Sequence, residues 1–253
     1  RPAHQPDLRK ADQRPLRDRI YGKIDDDEFE QEMVRIQRFE EMLANEGVLL
    51  LKFWFLLPKK DQERRLKKIH KKSAARHVLA DWATLKNHAK ASKVGEKIIL
   101  ETSRGHAPWF VIPSQDPEYR DSALAQTVYQ SMEAKLQDGH PANVAAPPIV
   151  GGLQHQSAVD AIDLSVKLEK KEYEEQRDKL QKRISDLSDR KAFAKKGMIL
   201  VFQGNDAAGK GGAIRRVIRP LDPRIYKVHP ISAPTDEEKA RPYLWRFWRH
   251  LPR

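Results

Sequence analysis

Cysteine is absent from all 253 residues. That excludes disulfides and any metal centre built on thiolates, and it fits a cytoplasmic protein. Long apolar runs are missing as well. A membrane-spanning helix needs about 18 apolar residues in succession, and the longest apolar stretch, GVLLLKFWFLLP, is interrupted by Lys52. It reads as a buried strand, and no membrane partner is expected. The first residues, RPAHQPDLRK, lack the apolar core of a secretory signal. No short-period repeat and no low-complexity tract occurs. Apolar residues make up 39% and charged residues 33% of the chain, the balance of a polar globular protein with room for one large domain or two small ones.

Acidic residues are scarce near the end. Residues 194–253 hold 13 Lys and Arg against 5 Asp and Glu, so eight of the net +12 charges lie there. A basic surplus is commonly a solvated face or a nucleic-acid footprint. Beside a phosphate-binding loop it suggests a polyanionic substrate.

Hydrophobic spacing orders the chain. Phe29, Met33, Ile36, Phe39 and Leu43 recur at helical intervals within residues 25–45, and acidic residues favour the start of that helix. GVLLLKFWFLLP follows as a strand buried on both faces, as in a parallel sheet. Residues 59–101 read as basic and mostly helical, 107–114 (APWFVIPS) as a second strand, and 118–137 as a helix. His70, His77 and His88 lack metal-site spacing, and Tyr119 and Arg120 read as packing residues. Pro141, Pro147 and Pro148, with Gly139, Gly151 and Gly152, mark a linker over 138–160. A long charged helix is expected from Ala161 to Asp189, with Leu164, Leu168, Leu180, Ile184 and Leu187 along it. KKGMILVFQG is the next strand, IYKVHPISAP a further one, and a helical tail follows. Thr235 and Glu238 form a capping box for that tail, and Pro242 starts its second helical part. In RPYLWRFWRHLPR, Leu244, Phe247, Trp248 and Leu251 make an apolar stripe, with Arg246, Arg249, His250 and Arg253 on another face. Strands alternating with helices indicate an α/β fold with a parallel sheet.

The segment GNDAAGKGG, Gly204 to Gly212, carries the chemistry. A buried strand running into a glycine-rich turn and then a helix makes an anion site. Main-chain N–H groups of Gly204, Asn205, Ala207, Ala208, Gly209, Gly211 and Gly212 can wrap phosphates, and the helix N-terminus adds positive potential. Lys210 would reach the outer phosphates. The usual hydroxyl after the lysine is replaced by Gly211, so magnesium would need another ligand. Asp206 is the carboxylate in the loop, and it is either that ligand or a turn-former bonded to its own backbone. Arg215, Arg216, Arg219 and Arg224 follow, each either a phosphate fork or part of a solvated basic face.

GMILVFQGNDAAGKGGAIRRVIRPLDPR, SAPTDEEKARPYLWRFWRHLP, FEEMLANEGVLLLKFWF and ETSRGHAPWFVIPSQDPEYR together resemble the polyphosphate kinase 2 family. The first two motifs resemble the first half of a family domain and the last two the second half, yet here the second half comes first. The order is similar to that of the fused two-domain members, the polyphosphate:AMP phosphotransferases. Residues 1–137 would then be the end of one kinase-like domain and 161–253 the start of another. The two parts either belong to separate domains or dock as one permuted domain. The family's second acidic motif is expected to follow RFWRHLP.

The resemblance implies a P-loop kinase fold, a parallel sheet between helices. It implies transfer of the terminal phosphoryl group of inorganic polyphosphate to a nucleotide, AMP to ADP, with Mg2+. By position it makes Lys210 and Asp206 catalytic, Asp206 the metal ligand and Arg224 a phosphate contact, and it implies a homo-oligomer. Nucleic acid is not expected as a partner. The competing classes are a non-catalytic nucleotide- or polyphosphate-binding unit and a nucleic-acid-binding P-loop protein.

Overall fold

The structure, a computed structural model, describes residues 14–72, 88–138, 162–193, 196–205, 207–231, 235–241 and 244–251. Three parallel strands make its sheet: β1 (Leu49–Leu56), β2 (Trp109–Pro113) and β3 (Met198–Gly204), in the order β2-β1-β3. The central strand therefore comes from the first part of the chain and the loop-bearing strand from the second. Leu51 lies opposite Leu200, and Phe53 lies between Phe110 and Phe202. Both Phe53 neighbours stack on it, with ring centroids 5.5 Å away. Seven of the eight β1 residues are buried, as an apolar run in a two-faced parallel sheet requires.

Helices cover both faces. On one face Leu49, Leu51, Phe53 and Phe55 pack against α5 (Pro117–Asp138), α6 (Lys170–Ser188) and α7 (Lys210–Ile218), through Leu124, Val128, Ile184, Leu187, Ala213 and Val217. On the other, Trp54 and Trp109 pack against α1 (Arg14–Ile20), α2 (Asp26–Asn45) and α4 (His88–Thr102), through Leu16, Phe29, Met33 and Ile98. Among the described residues the remaining helices are α3 (Lys59–Lys72) after β1 and two single turns, α8 (Asp236–Lys239) and α9 (Trp245–Trp248). Asp25 and Glu28 form a reciprocal capping box that starts α2. Among the described residues no helix is long and apolar enough to cross a membrane.

Three expectations are corrected. The helix expected from Ala161 begins only at Lys170. Residues 162–169 alternate between half-buried and exposed, a period of two that suits extended chain. Asp163 also accepts from the Ser165 N–H at 2.8 Å, a local turn bond competing with helix. The IYKVHPISAP segment forms no strand over residues 225–231. Ile225 and Val228 are exposed there, and Pro230 has no N–H to give a ladder. Around α9 Leu244, Phe247 and Leu251 are half-buried and Arg249 and His250 exposed, as expected, but Arg246 is buried and Trp248 half exposed, so these two trade places. Glu238, 3.4 Å from Arg246, draws the guanidinium inward, while Trp248 lies tilted against Phe39. The Thr235–Glu238 capping box does form, with bonds of 2.9 and 3.2 Å. Pro242 and the 139–161 part of the proline-rich segment lie outside the described residues.

Candidate active site

The loop leaves β3 at the carboxyl edge of the parallel sheet, where open α/β folds bind ligands. Gly204 has φ 132°, and a Cβ there would sit 2.2 Å from the Phe55 carbonyl oxygen. Only glycine lets the loop begin so close to β1. The Asn205 N–H then donates to Phe55 O at 2.9 Å, and its Oδ1 accepts the Leu57 N–H at 2.9 Å. Ala207 (φ 60°) and Gly209 (φ 90°) are left-handed. Left- and right-handed residues in succession gather N–H groups on one side, the concave arrangement that holds anions. Ala208 N–H closes the turn onto Asn205 O at 3.3 Å.

Gly209 caps α7 and Lys210 is the first residue of that helix. The first amides of a helix have no acceptor within it and carry its positive end. Lys210 Nζ donates to Gly204 O (2.8 Å) and Asn205 O (2.9 Å). Its ammonium thus lies over the loop that an anion would fill. Nothing lies within 4 Å of a Cβ placed on Gly211, so the missing hydroxyl is not forbidden by space. Asp206 lies outside the described residues. Among the described residues no cluster of three or more His, Asp or Glu could hold a metal ion.

Two arginines that the sequence did not single out for the loop reach it from beneath. Arg65 of α3 donates to Ala207 O at 2.9 Å and to Ser114 O and Gln115 O at 2.8 and 2.7 Å. Arg120 of α5 donates to Ala208 O at 3.1 Å. Its guanidinium packs directly on Gly209, where a Cβ would be 1.8 Å from Nη1. Asp121, buried like Arg120, pairs with it at 2.7 Å. Arg216 Nε of α7 lies 2.9 Å from the other Asp121 oxygen, a charge contact without hydrogen-bond alignment. Burial raises the Asp121 pKa against the lowering pull of both arginines. Arg65 looked like one more basic residue of QERRLKK, and Arg120 like a packing residue. Spacing could not show that either meets a loop far along the chain.

The cations after the loop are differently engaged. Arg215 and Arg216 bond to Gly211 O and Gly212 O of their own helix, each at 3.2 Å, and Arg219 is exposed. Arg224 is exposed too and grips Asp222 at 2.6 Å.

The family sequence profile of polyphosphate kinase 2 matches residues 9–140 and 167–253. The chain belongs to the polyphosphate kinase 2 family. It is 41% identical over 238 residues to a polyphosphate:AMP phosphotransferase of Pseudomonas aeruginosa, covering 92% of this chain and 48% of that protein. A protein of the same name from Pseudomonas syringae is 39% identical, with 94% and 48% covered. A crystal structure of a polyphosphate kinase 2 from Pseudomonas aeruginosa shares 37% identity over 94% of this chain and 45% of that one, with a TM-score of 0.38. The chain thus spans about half the length of the curated relatives it matches.

Proposed function

We propose that this chain handles phosphate in a phosphotransferase that moves the terminal phosphoryl group of inorganic polyphosphate to a nucleotide, with AMP as acceptor and ADP as product. The observation that carries this reading is the loop itself. Left-handed Ala207 and Gly209, the start of α7 and the Lys210 ammonium converge at the carboxyl edge of a parallel sheet. The family membership and the names of the two relatives supply the substrates.

The bridging P–O bond to the terminal phosphorus of polyphosphate breaks, a bond forms from that phosphorus to an AMP phosphate oxygen, and polyphosphate shorter by one phosphate leaves. Such a transfer needs mainly alignment and neutralised charge. The Ala207, Gly209 and Gly211 amides would bind the phosphate oxygens, those of Asn205, Ala208 and Gly212 being bonded within the fold, and Lys210 would leave the carbonyls of Gly204 and Asn205 for them. Magnesium is the expected cofactor. The donor set suits it sparsely: Gly211 offers no side-chain oxygen, and the Asn205 Oδ1 is taken by Leu57. Asp206 would be its protein ligand. When bound, the ion would neutralise charge on the phosphate oxygens. Arg224 is proposed as a further phosphate contact, which requires it to exchange Asp222 for the ligand. The domain division and the self-association implied by the family are also proposals. The α6 stripe is already buried at Leu180, Ile184 and Leu187, so a second copy would need another face. The lack of cysteine supports a cytoplasmic setting.

The test is ADP formation from AMP, polyphosphate and magnesium by the chain, its Lys210→Ala and Asp206→Ala variants, and a control without polyphosphate. Loss of about 10²–10³-fold in each variant is expected. Polyphosphate binding that depends on Lys210 but yields no ADP would support the binding-unit reading instead. The absence of both binding and turnover would overturn the site.

A further inference from the structure

We infer that Arg65 and Arg120 are positioning residues for the phosphate loop, gripping its inward carbonyls so that the loop keeps its turn and the Gly209 N–H faces an incoming phosphate chain. The inference rests on the proposed phosphate-handling role and adds two residues from the first part of the chain to a loop in the second. In a trans peptide the carbonyl and the next N–H point in opposite directions. Arg120 holds the Ala208 carbonyl at 3.1 Å, so the Gly209 N–H of the same peptide points away from Arg120, toward the open side. Arg65 holds the Ala207 carbonyl at 2.9 Å, while the Ala208 N–H closes onto Asn205 O. Each arginine orients one peptide plane.

Both grips are anchored elsewhere. The second Arg65 nitrogen is clamped by Ser114 O and Gln115 O at the end of β2. Arg120 is fixed by Asp121, its neighbour on α5. The hydrogen bonds of Arg65 all go to main-chain carbonyls, so its positive charge stays under the loop. A guanidinium fork can serve three carbonyls in one plane, and a lysine ammonium cannot reproduce that geometry. Burial and the charge of Arg120 both lower the Arg65 pKa.

Tripolyphosphate titrated into the chain and its Arg65→Ala, Arg65→Lys and Arg120→Lys variants tests this. Binding and the Gly209 amide shift are followed by NMR, and kcat and KM for ADP formation are measured in parallel. Circular dichroism checks that each variant is folded. Arg65→Ala is expected to weaken tripolyphosphate binding about 10–100-fold, the scale of lost hydrogen bonds to a charged group. Arg65→Lys should restore little, although it keeps the charge and the fold, and ethylguanidinium should restore part of the loss in Arg65→Ala. Folded variants that bind like the parent, with the same Gly209 shift, would overturn the inference and leave the proposed function intact. If the parent itself binds no tripolyphosphate, the proposed function fails. Hydrogen exchange at Ala208 and Gly209 then decides the inference, which faster exchange in Arg65→Lys supports and unchanged exchange overturns.

Discussion

The Asn205 side chain accepts the Leu57 N–H at 2.9 Å, tying the phosphate loop to the end of the neighbouring strand. Leu57 is fully buried and lies just past β1, beyond its ladder. Its N–H has no water to turn to if the bond is lost. Asn205→Ala should therefore cost about 1–3 kcal/mol of stability. Asn205→Asp keeps an acceptor and should lose less. Urea unfolding of the three proteins checks this, and equal midpoints would show that the bond contributes nothing.

Lys52 of β1 and Glu40 of α2 form a buried ion pair at 2.7 Å, and Lys52 also donates to Thr102 O at 2.8 Å. Burial raises the Glu40 pKa and lowers that of Lys52, so desolvation outweighs the attraction for both. Lys52→Met alone leaves a buried carboxylate unpaired and should cost about 3–5 kcal/mol, while Lys52→Met with Glu40→Leu should recover most of it. Chemical unfolding of the single and double variants would show this as strong non-additivity.

Glycines of the loop should separate sharply. Gly204→Ala drives a methyl into the Phe55 main chain and Gly209→Ala drives one into the Arg120 guanidinium, both at positive φ. Each should lower stability by at least about 1–3 kcal/mol. Gly211→Ala meets open space in a helix, and should be neutral or stabilising by up to about 1 kcal/mol. Thermal unfolding would reveal an inverted order at once.

Hydrogen bonds from Arg224 depress the Asp222 pKa from 3.8 to about 2. A carboxylate whose pKa falls on folding favours the folded state above its unfolded value, and that contribution is lost as pH drops. Here the window runs from pH 3.8 down through about 2. Carbon-detected NMR should place the Asp222 midpoint near the lower value, and Arg224→Gln should return it toward the upper one. If tripolyphosphate recruits Arg224 as proposed, the Asp222 midpoint should rise when it is added.

Much of the fold was legible where one local rule dominates. The apolar run of β1, the 3.6-residue stripe of α2 and the strand–glycine–helix order around Gly204 each depend on neighbours within a turn or two. Misreadings came where two local rules compete. Leucines at 164 and 168 fit a helical spacing, but the residues between them alternate, and α6 waits until Lys170. Arg246 is buried because Glu238 lies across from it, which a helical wheel of α9 cannot show.

The sequence by itself determined the phosphate loop and the elements that flank it, because glycine, a buried strand and a helix start act over a few residues. Tertiary structure alone decided what surrounds the loop. Leu57 reaches Asn205 across 148 positions, Arg65 reaches Ala207 across 142, and Arg120 reaches Ala208 across 88. Those partners are set by the β2-β1-β3 order and its register. Local spacing carries no information about which strand will lie beside another, so the loop could be read from the sequence and the arginines beneath it could not.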